Sequence, residues 1–150
     1  MNINDAVAFF KNLLIKTDKK SEIKTYENFI AILTSLKSRD LSPEQLSLIE
    51  EELGSLNLNA NLENNRKHYK RKLSEFKKYL KDEFSLITEG YYTAIGMCLG
   101  MCFGVAIGTS LGASGTSMGL TLGMLIGLVI GRSKDDEAKK QNRVLRTKFN

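Results

Sequence analysis

Side chains able to act as nucleophiles, general bases or metal ligands are few in this sequence. The 150-residue chain has two cysteines and one histidine. Cys98 and Cys102 have no His, Asp or Glu near them in sequence, so they form neither a zinc pattern nor a disulfide framework, and we predict that they are small apolar residues on a buried helix. His68 stands alone on a basic stretch. No nucleophile is paired with a base and no metal cluster or phosphate loop occurs, so the sequence predicts neither an enzyme nor a bound cofactor or metal.

Basic side chains are the second group able to do chemistry, by binding anions. The formal net charge is +5. The candidates for binding lipid headgroups lie on either side of a long uncharged run and are Arg66, Lys67, Lys70, Arg71, Lys77, Lys78, Lys81, Arg132 and Lys134. Three interpretations of the basic stretch remain open: a solvated helix face, attraction to anionic lipids, or nucleic-acid binding. Because no nucleic-acid recognition motif accompanies the charge, we expect no nucleic-acid partner.

Glycine is placed with unusual regularity. The chain has twelve glycines, and ten of them recur at steps of four, with one step of three between Gly112 and Gly115. Glycine in the interior of a soluble helix costs about 1 kcal/mol relative to alanine, so this spacing indicates close helix packing in a solvent other than water. The predicted helix-packing residues are Gly96, Gly100, Gly104, Gly108, Gly112, Gly115, Gly119, Gly123, Gly127 and Gly131.

The uncharged run of residues 90–131 is too long for one membrane crossing of about 20 residues. It suits two crossings, at residues 91–111 and 116–131, joined by a turn at the sequence GASG, and the second crossing is then short. A step of four residues advances about 40° around a helix, so each row of five glycines sweeps a wide surface. We therefore expect each row to pack partly against the other arm and partly against a neighbouring subunit.

This double run is similar to the glycine-zipper transmembrane hairpin proteins of bacteria, over residues 90–131 only. The resemblance implies tight helix packing in the membrane and homo-oligomers. In looser form the same repeat occurs in the pore helices of channels and toxins, so it also implies a pore or channel as one function. The lipoprotein members of this group carry a secretory signal and a lipidated cysteine, and this chain shows neither.

Elements before the run are helical by pattern. Apolar residues at spacings of three and four predict a first helix at residues 4–16 and a second that begins near Ser21. Ser42, Pro43 and Gln45 predict the start of a third, which stops at Gly54. A fourth, from about Leu62, presents Tyr69, Leu73, Phe76 and Leu80 as an apolar seam and has nothing to break it before the uncharged run.

The predicted fold is all-α, with an N-terminal helical bundle, a long basic amphipathic helix and a two-span glycine-zipper transmembrane hairpin. The predicted domains are a cytoplasmic bundle at 1–60, a juxtamembrane helix at 61–89, the hairpin at 90–131 and a basic cytoplasmic tail at 132–150. Because Lys and Arg flank both ends of the hairpin and not its turn, both termini are expected in the cytoplasm, at the bacterial inner membrane.

Two function classes remain. One is a small integral membrane protein that homo-oligomerises through its glycines and forms a pore, with Thr93, Thr109 and Thr121 as the candidate lining groups. The other is a membrane-anchored adaptor whose residues 1–60 bind a protein partner. Both classes require the membrane as a partner.

Overall fold

The computed structural model describes residues 1–58, 65–110 and 112–147. The protein is all-helical apart from one pair of two-residue strands in the described segments. The elements are α1 (Ile3–Lys16), α2 (Lys20–Lys37), α3 (Pro43–Ser55), α4 (Asn65–Phe84), β1 (Ile87–Thr88), α5 (Tyr91–Thr109), α6 (Ala113–Lys140) and β2 (Val144–Leu145). The all-α fold class predicted from the sequence is therefore confirmed.

The chain divides into two compact units. The first contains residues up to Leu86 and the segment from Leu145 onward, and the second contains residues from Ile87 to Val144. The first unit is built around stacked aromatic rings: the Phe10 and Phe29 ring centroids lie 4.2 Å apart, and Tyr26 packs edge-on against Tyr69 at 5.4 Å. Burial raises the pKa of Tyr26 to about 12, with Glu22 and Tyr69 adding to the effect.

Local signals place the ends of the first three helices. Ser42 and Gln45 form the predicted capping box, in which the Gln45 backbone N–H donates to the Ser42 hydroxyl at 3.2 Å and the Ser42 N–H donates to Gln45 Oε1 at 3.1 Å. Helix α2 begins at Lys20, close to the predicted start near Ser21, and its N-cap, Lys19, provides no side-chain cap. The first turn of α2 consequently lacks a side-chain acceptor at its cap position.

The sequence pattern suggested that α4 continues into the uncharged run, but it does not. It ends at Phe84, and the chain turns through Ser85 at φ +54° and Gly90 at φ +74° before α5 begins. Between these turns the Ile87 N–H donates to the Arg143 carbonyl at 2.9 Å, beside the pairing of β1 with β2. The predicted start of this helix near Leu62 lies outside the described residues.

The apolar seam of α4 is buried within the first unit. Tyr69, Leu73, Phe76 and Leu80 are 0–6% exposed, and Phe76 stacks at 6.4 Å on Phe29. The predicted boundary between domains at residues 60 and 61 is thus corrected, because α4 completes the core of the N-terminal unit instead of standing apart as a juxtamembrane helix. The predicted tail is corrected as well, since residues 132–140 continue α6.

Candidate functional site

Helices α5 and α6 form an antiparallel hairpin with a short connection. Helix α5 ends at Thr109 and α6 begins at Ala113, with Gly112 at φ +82° immediately before it. The turn therefore includes only Gly112 of the predicted GASG sequence, and the other three residues form the first turn of α6. The uncharged part of α6, residues 113–131, is as long as the 19-residue α5. Each arm is about 28 Å long at 1.5 Å per residue, close to the thickness of a bilayer core, so the second crossing is not short.

The two glycine rows face each other along the whole hairpin. A Cβ built at Gly100 would meet the Gly123 carbonyl oxygen and lie 3.1 Å from Gly127 Cα. A Cβ at Gly104 would likewise meet the carbonyl oxygen of Gly119 and lie 3.1 Å from Gly123 Cα. The same backbone approach occurs at Gly96, Gly108, Gly119, Gly123, Gly127 and Gly131. At each of these positions a Cβ would lie less than 3.0 Å from a backbone atom of the other helix, which is closer than real Cβ atoms come. Only glycine therefore permits this packing.

Each row packs against the other arm of its own hairpin, and the expected contact of part of each row with a neighbouring subunit stays a prediction. Positions four apart drift about 40° around a straight helix. Rows that drift in this way stay in contact only if the two helices wind around each other, as coiled helices do when their contact repeat departs from 3.6 residues.

The two glycines near the turn, Gly112 and Gly115, differ from each other. Gly112 has no atom within 4 Å of its Cβ position, and its positive φ is the conformation that side chains disfavour. The structure thus places Gly112 in the turn and not in the packed row. Gly115 is buried, and its carbonyl oxygen lies 2.5 Å from a Cβ built at Gly108, so the second row starts there.

The outer face of the hairpin is apolar and uncovered. Eleven large apolar side chains of α5 and α6 are at least 39% exposed, and several of them immediately precede a glycine, such as Phe103 at 67% and Ile126 at 59%. Only 11% of the apolar stretch of α5 and 17% of the apolar stretch of α6 is buried within the protein. A core helix of a soluble protein would be mostly covered, whereas an apolar surface of this extent marks a membrane or protein interaction site in other proteins.

Cys98 and Cys102 belong to this outer face. Both are exposed, which corrects the prediction that they lie on a buried helix. Residues of α5 outside the glycine row face away from α6. The row itself is therefore the sequence signal that could have predicted the exposure of Cys98 and Cys102.

Asp135 closes the base of the hairpin, and sequence reasoning missed it. Its carboxylate is 4% exposed and accepts hydrogen bonds from the backbone N–H groups of Tyr92 at 3.0 Å and Thr93 at 2.9 Å. The Thr93 hydroxyl donates a third, at 2.6 Å. The N-cap residue of α5 is Gly90, which has no side chain to cap the helix, so Asp135 satisfies the free N–H groups from the other arm and places a negative charge at the positive end of the helix.

The threonines predicted to line a pore are engaged within the hairpin itself. The Thr93 hydroxyl binds Asp135, that of Thr109 donates to the Ala106 carbonyl at 2.9 Å, and that of Thr121 donates to Ser117 at 2.9 Å. The carbonyl bonds are the usual way in which a helix satisfies a threonine in apolar surroundings.

The predicted headgroup-binding residues fall into two groups. On α4, four of these residues are exposed: Lys67, Lys70, Arg71 and Lys78. Lys77 is half-buried, Lys81 lies 3.8 Å from Asp82, and the side chain of Arg66 lies outside the described part.

The environment of α4 shifts the pKa of several of its side chains. Burial lowers the pKa of Lys77, and burial together with Lys72 and Arg71 lowers that of His68. A hydrogen bond from Lys72, at 2.9 Å, holds the pKa of Glu75 below its usual value.

At the base of α6, Arg132 and Lys134 are exposed, which suits contact with headgroups. Lys134 donates to Glu137 at 2.9 Å, which raises the pKa of the amine and lowers that of the carboxylate. No group of three or more metal-binding side chains occurs in the described residues.

These features define a class by structure: an all-helical protein with two helices long and apolar enough to cross a membrane. No protein-family model matches the chain, and no curated protein or solved structure is similar to it at a significant level.

Proposed function

We propose that the protein is a membrane-anchored adaptor in which the α5–α6 hairpin is embedded in the bilayer and holds the N-terminal helical unit at the membrane surface. The observation that carries this proposal is the inverted distribution of side chains in the hairpin: its glycines pack backbone against backbone between the helices, and its large apolar side chains are exposed. Lipid is the solvent in which that distribution is favourable, because helices there associate by close backbone approach.

The packing supports an anchor more than a homo-oligomeric pore. Both glycine rows pack against each other within one chain, so the hairpin gains close backbone packing without a second copy. The three candidate lining hydroxyls are engaged within the hairpin. A hairpin that satisfies its own packing and polar groups needs no second copy to be stable in lipid.

Charge supports one orientation. Arg132 and Lys134 lie at the base of the hairpin, whereas the turn residues Ser110 and Gly112 carry no charge. By the positive-inside tendency, the base and both termini lie in the cytoplasm. The resemblance to bacterial hairpins adds the inner membrane of a bacterium as the site of this anchor.

The anchor is tested by adding charge to the outer face. Leu122 and Leu125 are both 56% exposed. On a soluble protein, arginine at these positions would be harmless, but each arginine in a bilayer interior costs about 3 kcal/mol. We expect the double variant Leu122→Arg with Leu125→Arg to lose most of its alkaline-carbonate-resistant membrane fraction.

The matched control is Ser110→Arg with Ser133→Arg, which adds the same charge at exposed positions of the turn and the base. It should stay in the membrane. Equal membrane retention of both double variants would contradict the anchor. Light scattering of the detergent-solubilised wild type separates the two function classes, because an anchor is expected as one or two copies and a ring of many copies would support the pore instead.

A further inference from the structure

A groove on the N-terminal unit gathers four lysines between α2 and α4. Lys20 and Lys24 line it from α2, and Lys70 and Lys77 line it from α4. We call it the lysine groove. Its other lining residues are apolar or neutral, so no carboxylate of the described residues faces the four amines.

The four amines are not neutralised by ion pairs. Two acidic residues of these helices pair elsewhere: Glu22 accepts from the Thr17 hydroxyl at 2.6 Å and lies 3.6 Å from Lys19, and Glu75 pairs with Arg71 and Lys72. None of the four groove lysines forms an ion pair with a described carboxylate. Like charges held in one groove repel each other, and burial already lowers the pKa of Lys77.

The α2 side of the groove adds to the positive field. Lys20 and Ser21 lie in the first turn of α2, whose N-cap residue, Lys19, provides no side-chain cap, and the acidic residue of that turn, Glu22, pairs with Lys19. Basic residues at the N-terminus of a helix oppose its dipole, so local stability does not account for their placement. A departure from local rules of this kind is expected where a residue serves a binding site.

We propose that the lysine groove binds an anion with two or more phosphate charges, such as a pyrophosphate or phosphomonoester group. Lysine ammonium groups and serine hydroxyls are the donors that such oxygens require, and Ser21 and Ser74 line the groove beside the lysines. The shared chemistry covers a free phosphorylated molecule and a phosphorylated lipid headgroup. The proposal is independent of the membrane anchor, because it rests only on residues of the N-terminal unit.

Titration calorimetry of the full-length chain in uncharged detergent, with inorganic pyrophosphate as the probe, tests the groove. We expect saturable binding, and we expect the double variant Lys24→Gln with Lys77→Gln to weaken it tenfold or more, since each charge-assisted hydrogen bond accounts for about a factor of ten. The control is Lys11→Gln with Lys16→Gln, two exposed lysines of α1 outside the groove, which removes the same charge.

The control pair should keep an affinity close to that of the wild type. Equal weakening by both pairs would mean general electrostatic attraction and would overturn the groove, as would the absence of saturable binding. Circular dichroism of each variant establishes that helix content is unchanged before the affinities are compared.

The same titration in nanodiscs identifies the source of the anion. If the groove takes a lipid headgroup, phosphatidic acid in a phosphatidylcholine bilayer competes and lowers the affinity for pyrophosphate. If it takes a free molecule, the affinity is the same with and without phosphatidic acid. Either result supports the groove when the lysine pairs differ as described.

Discussion

The Asp135 side chain accepts hydrogen bonds from the first backbone N–H groups of α5, a role that a local N-cap residue has in most helices. It lies 42 residues after Thr93 in sequence, yet it accepts from two backbone N–H groups and the hydroxyl at the start of α5. A buried carboxylate with three donors is strongly directional, and it sets the register between the arms at the charged end of the hairpin. No pattern in one sequence connects the two positions, since the only local sign is that Gly90 cannot cap α5.

Replacing this carboxylate therefore loosens the base of the hairpin. In Asp135→Ala we expect the amides of Tyr92 and Thr93 to exchange with solvent at least tenfold faster, because loss of a capping side chain costs about 1 to 2 kcal/mol. Hydrogen exchange measured by NMR in micelles gives these rates.

Asp136→Ala is the matched control for this change. Asp136 is 68% exposed and lies 3.9 Å from Lys139, so its removal should leave both amides protected. Unchanged exchange in Asp135→Ala would show that α5 is capped by another group.

At the scale of elements, the sequence predicted the glycine rows but not which surface covers them. A groove of glycines accommodates any close helix, so spacing alone does not distinguish the other arm from a second subunit. The turn was misplaced for a related reason: the step of three before Gly115 marks the start of a new row, and the turn glycine is Gly112. The break after α4 was missed because it turns at Ser85, a residue that gives no warning of a positive φ.

Because the backbones of α5 and α6 are in contact, even one added methyl group should push the two helices apart. We expect Gly104→Ala to increase the distance between α5 and α6, because its Cβ would fall against the backbone of Gly119 and Gly123. Double electron–electron resonance between spin labels at Phe103→Cys and Leu122→Cys, with the native cysteines changed to alanine, measures that distance.

Ala106→Ile adds more bulk to an exposed position of the same helix and serves as the control. It should leave the distance distribution as in the parent protein. A distribution in Gly104→Ala that matches the parent would contradict the close backbone contact of the two rows.

At the scale of the whole molecule, two units follow two different packing rules. The N-terminal unit buries aromatic and aliphatic side chains and exposes its lysines, as proteins in water do. The hairpin buries glycine and exposes leucine, isoleucine and phenylalanine. The sequence foreshadowed this contrast, because charge is absent from residues 91–131 and frequent on both sides.

The central claim, that lipid surrounds the outer face of the hairpin, is tested most directly by the accessibility of spin labels in liposomes. Labels at Phe103→Cys and Ile126→Cys, in a chain without native cysteines, should collide readily with oxygen and rarely with a water-soluble nickel chelate, whereas a label at Ser114→Cys beside the turn should show the reverse. Ready collision of the Phe103 and Ile126 labels with the nickel chelate would place the outer face in water and contradict the account.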